Sequence, residues 1–157
     1  MQFFNVTQRL LNPLGYYLHK RYMNSAMSET IRNIQTGDKV SVMRTVTEED
    51  VMNFAKLTND FNPVHVMGKN KLVHGALLNG FLSGVLGTKL PGPGTLVIEQ
   101  YINYPKPCYA GDTIEISIEV LSARKIIKCG YKVIVIDSDR IVLEGNGKFI
   151  ANKIEIQ

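Results

Sequence analysis

Cysteine is scarce in this sequence, with only Cys108 and Cys129, and the two sit in no metal-type spacing. That excludes a disulfide-stapled scaffold and a zinc module. No uncharged stretch is long enough to cross a bilayer. The longest that matters, Gly75–Thr88, falls short of the roughly 18 apolar residues a span needs and carries four glycines. Phosphate-cradling loops and metal-ligand constellations are also missing, so no tightly held cofactor is implied and no metal is expected. No repeat or low-complexity tract follows Glu29, and residues 29–157 read as one domain.

What is present is the balance of a soluble globular protein: 45% hydrophobic and 20% charged residues over a 157-residue chain, enough for one core and too few for two. The net charge of +4 is unevenly placed. Residues 1–28 hold Arg9, Lys20 and Arg21 and no Asp or Glu, so the remainder carries only +1. A nucleic-acid binder would carry its basic excess on the folded body, and this chain does not. The acid-free, hydroxyl-bearing leader has instead the composition of a mitochondrial transit peptide, with Pro13 and Gly15 interrupting any single helix. A disordered basic tail is the other reading of residues 1–28.

In the body, Gly37-Asp38 reads as a turn into a short strand, Lys39–Val46. Thr47-Glu48-Glu49-Asp50 then opens a helix: Thr47 caps free amides and the carboxylates complement the helix dipole. Val51, Phe54, Ala55 and Thr58 share one face, and Asn62-Pro63 ends the pattern. From Gly75 to Gly87 every side of a second helix is apolar or small, which predicts burial all round. Gly80, Gly84 and Gly87 form a stripe, each glycine costing about 1 kcal/mol of helix propensity, so something is expected to approach it closely. Pro91-Gly92-Pro93-Gly94 makes a rigid turn, and four strands follow: Leu96–Tyr104, a run alternating from Ile114 to Val120, Ile126–Ile136 and Ile141–Ile150. The expected architecture is α+β, an antiparallel sheet curled around one apolar helix.

Three polar residues sit at odds with their surroundings: Asp60, His65 and His74. A turn after a helix can bring a carboxylate and an imidazole to one water, and such a pair divides proton acceptance and donation. At the start of the apolar helix, the Gly75 N–H is a free amide that a ligand carbonyl can approach, an oxyanion donor in the making. Structural readings stand beside these: Asp60 as turn chemistry, His74 as a helix cap and Gly75 as relief of crowding.

The run Phe54-Ala55-Lys56-Leu57-Thr58-Asn59-Asp60-Phe61-Asn62-Pro63-Val64-His65 resembles the hydratase motif of the MaoC-like (R)-specific enoyl-thioester hydratases. Val73-His74-Gly75-Ala76-Leu77, Leu90-Pro91-Gly92-Pro93-Gly94-Thr95 and Ala110-Gly111-Asp112-Thr113-Ile114 resemble later motifs of that family, in order. The resemblance implies a hot-dog fold, usually dimerised, here a homodimer. It implies interconversion of (3R)-hydroxyacyl and trans-2-enoyl thioesters of acyl carrier protein or coenzyme A. With the basic leader, it points to type II fatty acid synthesis in the mitochondrial matrix. Asp60 and His65 would activate water and move the C2 proton, and Gly75 N–H would polarise the thioester carbonyl. Asn62 and His74 would bind substrate, and Phe54, Leu78 and Phe81 would line the acyl tunnel. The chain departs from the family between His65 and His74. Only Val66–Val73 joins them, where relatives carry a longer stretch with an acidic residue and a short helix. Eight residues reach at most about 28 Å, enough to keep the geometry. Two other functions stay open: a catalytically idle acyl-thioester-binding or partner subunit, and a hot-dog thioesterase. The second is disfavoured because Gly75–Thr88 contains no acid.

Overall fold

A computed structural model describes residues 34–151; the proposed leader lies outside the described residues. Five strands form one antiparallel sheet: β1 (Lys39–Thr45), β2 (Thr95–Asn103), β3 (Thr113–Ala123), β4 (Ile127–Val135) and β5 (Arg140–Ala151), in the spatial order β1-β3-β4-β5-β2. Among the described residues three helices precede β2: α1 (Glu48–Thr58), the single turn α2 (Pro63–Val66) and α3 (Gly75–Thr88). The strands follow the predicted alternation. Ile114, Ile116, Ile118 and Val120 point into the core from β3, and Cys129, Tyr131, Val133 and Val135 do so from β4. Register follows, because sliding one residue would turn these side chains to water. Among the described residues no helix is long and apolar enough to cross a membrane.

α1 begins as the sequence predicts, and more tightly. Thr47 accepts from Asp50 N, and the Asp50 carboxylate returns the bond to Thr47 N, a reciprocal cap. The same carboxylate meets Arg44 of β1 at 2.8 Å, so helix start and sheet edge are joined. These hydrogen bonds and the Arg44 charge hold the Asp50 carboxyl below its ordinary value against the opposing effect of burial.

α3 lies on the sheet through Leu77, Leu78, Leu82, Val85 and Leu86, all buried. Side chains of this kind contribute about 1.5–3 kcal/mol each when fully buried. The expectation that the sheet buries this helix on all sides is not met. Ala76, Gly80, Ser83, Gly84 and Gly87 are exposed, and a Cβ placed on Gly80, Gly84 or Gly87 would meet nothing within 4 Å. A single five-stranded sheet covers one face of a helix and leaves the far face open, so the glycine stripe has no neighbour among the described residues.

Close packing of β2 on β5 depends on Gly145. A Cβ there would run into the Tyr101 carbonyl and the Tyr131 ring. With that space free, the Tyr131 hydroxyl reaches under β5 and donates to Asn146 O at 2.7 Å and Tyr101 O at 3.1 Å. Burial pushes the Tyr131 phenol from 10.0 up to about 12, and the Cys108 and Cys129 thiols from 9.0 up to about 12. All three raised values mean that the fold favours the protonated form. Their stabilisation is full below the ordinary values and is lost as pH climbs through the folded ones. The melting temperature is therefore expected to fall between about pH 9 and pH 12, with both thiols unreactive toward a disulfide reagent until the chain unfolds. A flat melting profile over that range, or prompt thiol labelling of the native protein, would contradict this account.

Candidate active site

The chain leaves α1 through Asn59, which adopts the left-handed conformation at φ 59° and turns the backbone sharply. Asn and Asp tolerate that region better than other non-glycine residues. The turn delivers Asp60, whose Oδ1 accepts from Asn62 N at 3.2 Å. Asn62 caps α2 by accepting from Val64 N, and Pro63 fills the first helical position, where no N–H is needed. Asn59 thus ends α1, and Asn62-Pro63 starts the turn of helix that carries His65.

The short connection after α2 folds straight back. Leu72 N donates to Val64 O, Val73 N to Cys108 O and Ala110 N to Lys71 O, with Leu72 and Tyr109 paired as an isolated bridge. The turn that receives it is rigid. Gly111 takes a positive φ of 99°, its N–H donates to Val46 O, and Asp112 bonds Tyr109 N and the Arg140 guanidinium. His74 and Gly75 therefore emerge from a backbone fixed on the sheet.

There the three singled-out side chains converge. Donor atoms of Asp60, His65 and His74 lie within 4.8 Å of one another. His65 Nδ1 is 2.6 Å from Leu72 O; a carbonyl only accepts, so His65 is the Nδ1–H tautomer and its Nε2 carries the free lone pair. His74 Nε2 is 3.2 Å from the main-chain oxygen of Asp60 and 3.9 Å from its Oδ2. The two imidazoles stack with centroids 3.7 Å apart and planes 23° from parallel. The spacing alone would suit a cation, but the ring arrangement does not. Nitrogen lone pairs lie in the ring plane, so those of stacked rings run side by side instead of meeting, and His74 Nε2 already faces a carbonyl. The Asp60 side chain is half exposed at 50%, so the cluster opens to solvent on that side.

Gly75 is the first residue of α3, and its N–H has no hydrogen-bond partner among the described residues. A tyrosine packs beside this residue. The phenol end of Tyr104, just past β2, packs against Gly75, its Cζ 3.1 Å from where a Cβ would stand. Burial raises the Tyr104 phenol above its ordinary value, keeping the hydroxyl protonated. No local signal in Asn103-Tyr104-Pro105 announces this contact, which is made only by the fold.

The remaining candidates are dispersed. Phe54 packs against His74 at 5.0 Å between ring centroids, and Leu78 is part of the core. Phe81 lies under the Arg44 guanidinium, 3.6 Å from its centroid, a cation–π contact the sequence did not suggest. Two clefts, of about 550 and 490 Å³, open over β1-β3-β4 and over β2-β5, and none of the candidate residues lines either one.

The chain is similar to known proteins over most of this structure. The MaoC like domain matches residues 31–139. The (R)-specific enoyl-CoA hydratase of Rhodospirillum rubrum is 38% identical over 96 residues, covering 56% of this chain and 67% of that protein. The mitochondrial 3-hydroxyacyl-[acyl-carrier-protein] dehydratase of Arabidopsis thaliana is 24% identical over 149 residues, 87% of each chain. Among solved structures, the unliganded R-hydratase PhaJ1 from Pseudomonas aeruginosa superposes with a TM-score of 0.73 at 25% identity, covering 81% of this chain and 90% of that one.

Proposed function

Since this chain belongs to the MaoC-like domain family, with a hot-dog fold, we propose that it is a hydro-lyase interconverting (3R)-hydroxyacyl and trans-2-enoyl thioesters. The observation that carries the reading is the convergence of Asp60 and His65 beside the unpartnered Gly75 N–H. In the hydration direction, a water held by the Asp60 carboxylate gives a proton to His65 Nε2 as its oxygen bonds C3. The C2–C3 π pair moves toward the thioester oxygen, where the Gly75 amide stabilises the developing enolate. The proton then returns to C2, and the pair ends as it began. Asp60 orients the water and offsets the transient imidazolium charge. α3 offers no carboxylate for hydrolysis, which sets the thioesterase reading aside.

The carrier is coenzyme A or acyl carrier protein, in keeping with the hydratase and dehydratase relatives. The acid-free basic leader and the mitochondrial Arabidopsis relative support a place in the mitochondrial matrix and in type II fatty acid synthesis. A homodimer completes the molecule. The exposed stripe of α3 and the edge strand β2, with Leu96, Val97, Ile98 and Tyr101 half or more exposed, are surfaces a second copy would cover.

Purified protein is expected to hydrate crotonyl-CoA or a medium-chain enoyl-CoA, followed by loss of the enoyl absorbance. Asp60→Asn and His65→Ala should each lose about 10²–10⁴-fold in kcat with melting temperature retained. An inactive wild type that still binds the thioester would favour the idle-subunit reading, and an active Asp60→Asn would refute the mechanism. In sedimentation the wild type should run at twice the chain mass and Gly84→Arg at the chain mass; a monomeric wild type removes the dimer. A fluorescent reporter fused behind residues 1–28 should collect in mitochondria, and a diffuse signal would refute the leader.

A further inference from the structure

His74 occupies a position that starting a helix does not explain. Good N-cap residues are Ser, Thr, Asp and Asn, whose side chains bond the free amides. The His74 side chain makes no such bond. It turns inward and is 2% exposed, and apart from the buried Cys and Tyr side chains it is the only buried titratable side chain among the described residues. Its Nε2 faces the Asp60 carbonyl, so the ring must present Nε2–H there. Its face bears the His65 ring, and Phe54 packs against it as well. The other nitrogen, Nδ1, is buried with no partner. A ring with its one N–H engaged by the backbone and its face engaged by His65 has little left to offer a substrate.

We infer that His74 is a positioning residue for the Asp60–His65 pair and not a ligand of the substrate, an inference that rests on the hydratase reading of this site. Its N–H fixes the backbone of the residue that carries the carboxylate. Its ring plane sets the plane in which His65 Nε2 points. Gly75 follows directly, so the residue that holds the pair also fixes the start of α3, where the oxyanion donor sits. Both halves of the chemistry are thereby indexed to one side chain.

Three substitutions separate the two contacts. His74→Phe keeps a flat ring without the donor, His74→Gln keeps an N–H at similar reach without the ring, and His74→Ala removes both. In steady-state hydration, kcat is expected to fall about 100-fold in His74→Ala, the scale of a misplacement near 1 Å, and less in the other two. KM should stay within about threefold, the pattern of an interaction that does not bind the ground state. The Kd for butyryl-CoA, which cannot be hydrated, should likewise hold. A KM and butyryl-CoA Kd that rise together while kcat is retained would make His74 a substrate ligand and overturn the inference. If His74→Ala fails to fold, the bulkier Phe and Gln variants carry the comparison. Long-range proton–nitrogen spectra of histidine-labelled protein test the claim without turnover. The wild type should show the His65 Nδ1–H tautomer that the Leu72 carbonyl fixes; in the variants the ring, no longer held in its plane, should bond that carbonyl less and its tautomers begin to average, most in the one that loses both contacts. An unchanged His65 signal in every folded variant overturns the inference. A wild type that hydrates nothing would sink the functional reading alone, because the spectra still decide whether His74 holds His65.

Discussion

Two backbone hydrogen bonds, Val73 N–H to Cys108 O and Ala110 N–H to Lys71 O, tie the site to the sheet. Everything polar at this end of the molecule is placed through them. They fix the Leu72 carbonyl that sets the His65 tautomer, the His74 ring that meets Asp60, and the backbone from which α3 departs. The strand segment they grip is itself held by the Gly111-Asp112 turn and by the 2.7 Å ion pair of Asp112 with Arg140. That pair is largely buried on both sides, and its carboxylate also accepts a backbone N–H, the circumstances in which an ion pair retains strength. A connection of eight residues suffices because it needs no structure of its own; it borrows order from the sheet.

The same economy explains α3. One face supplies the core, and its five buried aliphatic residues secure the helix to the sheet. The other face is made of small residues that contribute nothing to the isolated chain, where glycine only weakens a helix. Packing within residues 34–151 would favour alanine or longer residues at Gly80, Gly84 and Gly87, since among the described residues a Cβ at each would meet nothing within 4 Å. Close approach of another surface is what small residues permit, and the unpaired edge of β2 with its apolar side chains stands as a second surface of that kind.

Most of the architecture was legible in the sequence because each element carries its own period. The alternation in β3 and the capping signals of α1 predict those elements to within a few residues. Three features were not legible. α2 is hidden because Asn62-Pro63 reads in sequence as a helix stop, whereas α1 ends at Asn59 and those two residues start a new turn. The strand order and the bulges depend on pairing across the chain, which local patterns do not encode. What covers α3 is the third: an all-apolar stretch announces that the helix has no polar face, and does not reveal whether this copy or another surface covers it. At the site, Asp60, His65 and His74 stood out as polar residues in apolar company, and they do come together. Tyr104 over Gly75 and Arg44 over Phe81 were invisible, since both contacts join residues distant in sequence and chemically ordinary where they stand.

His74 shows most directly how function and stability pull apart in this fold. A buried polar atom without a partner costs roughly 1–3 kcal/mol, and His74 Nδ1 is such an atom. A Ser, Thr, Asp or Asn at the same position would cap α3 and contribute about 1 kcal/mol instead. On stability alone the histidine is the wrong residue twice over. What it provides that a cap residue cannot is reach and a flat face: Nε2 extends to the Asp60 carbonyl while the ring lies against His65. Departures from the stability optimum that coincide with a convergence of titratable groups mark a working site more reliably than either feature alone. In this chain the two coincide at the first residues of α3, beside the Gly75 N–H, which has no partner among the described residues.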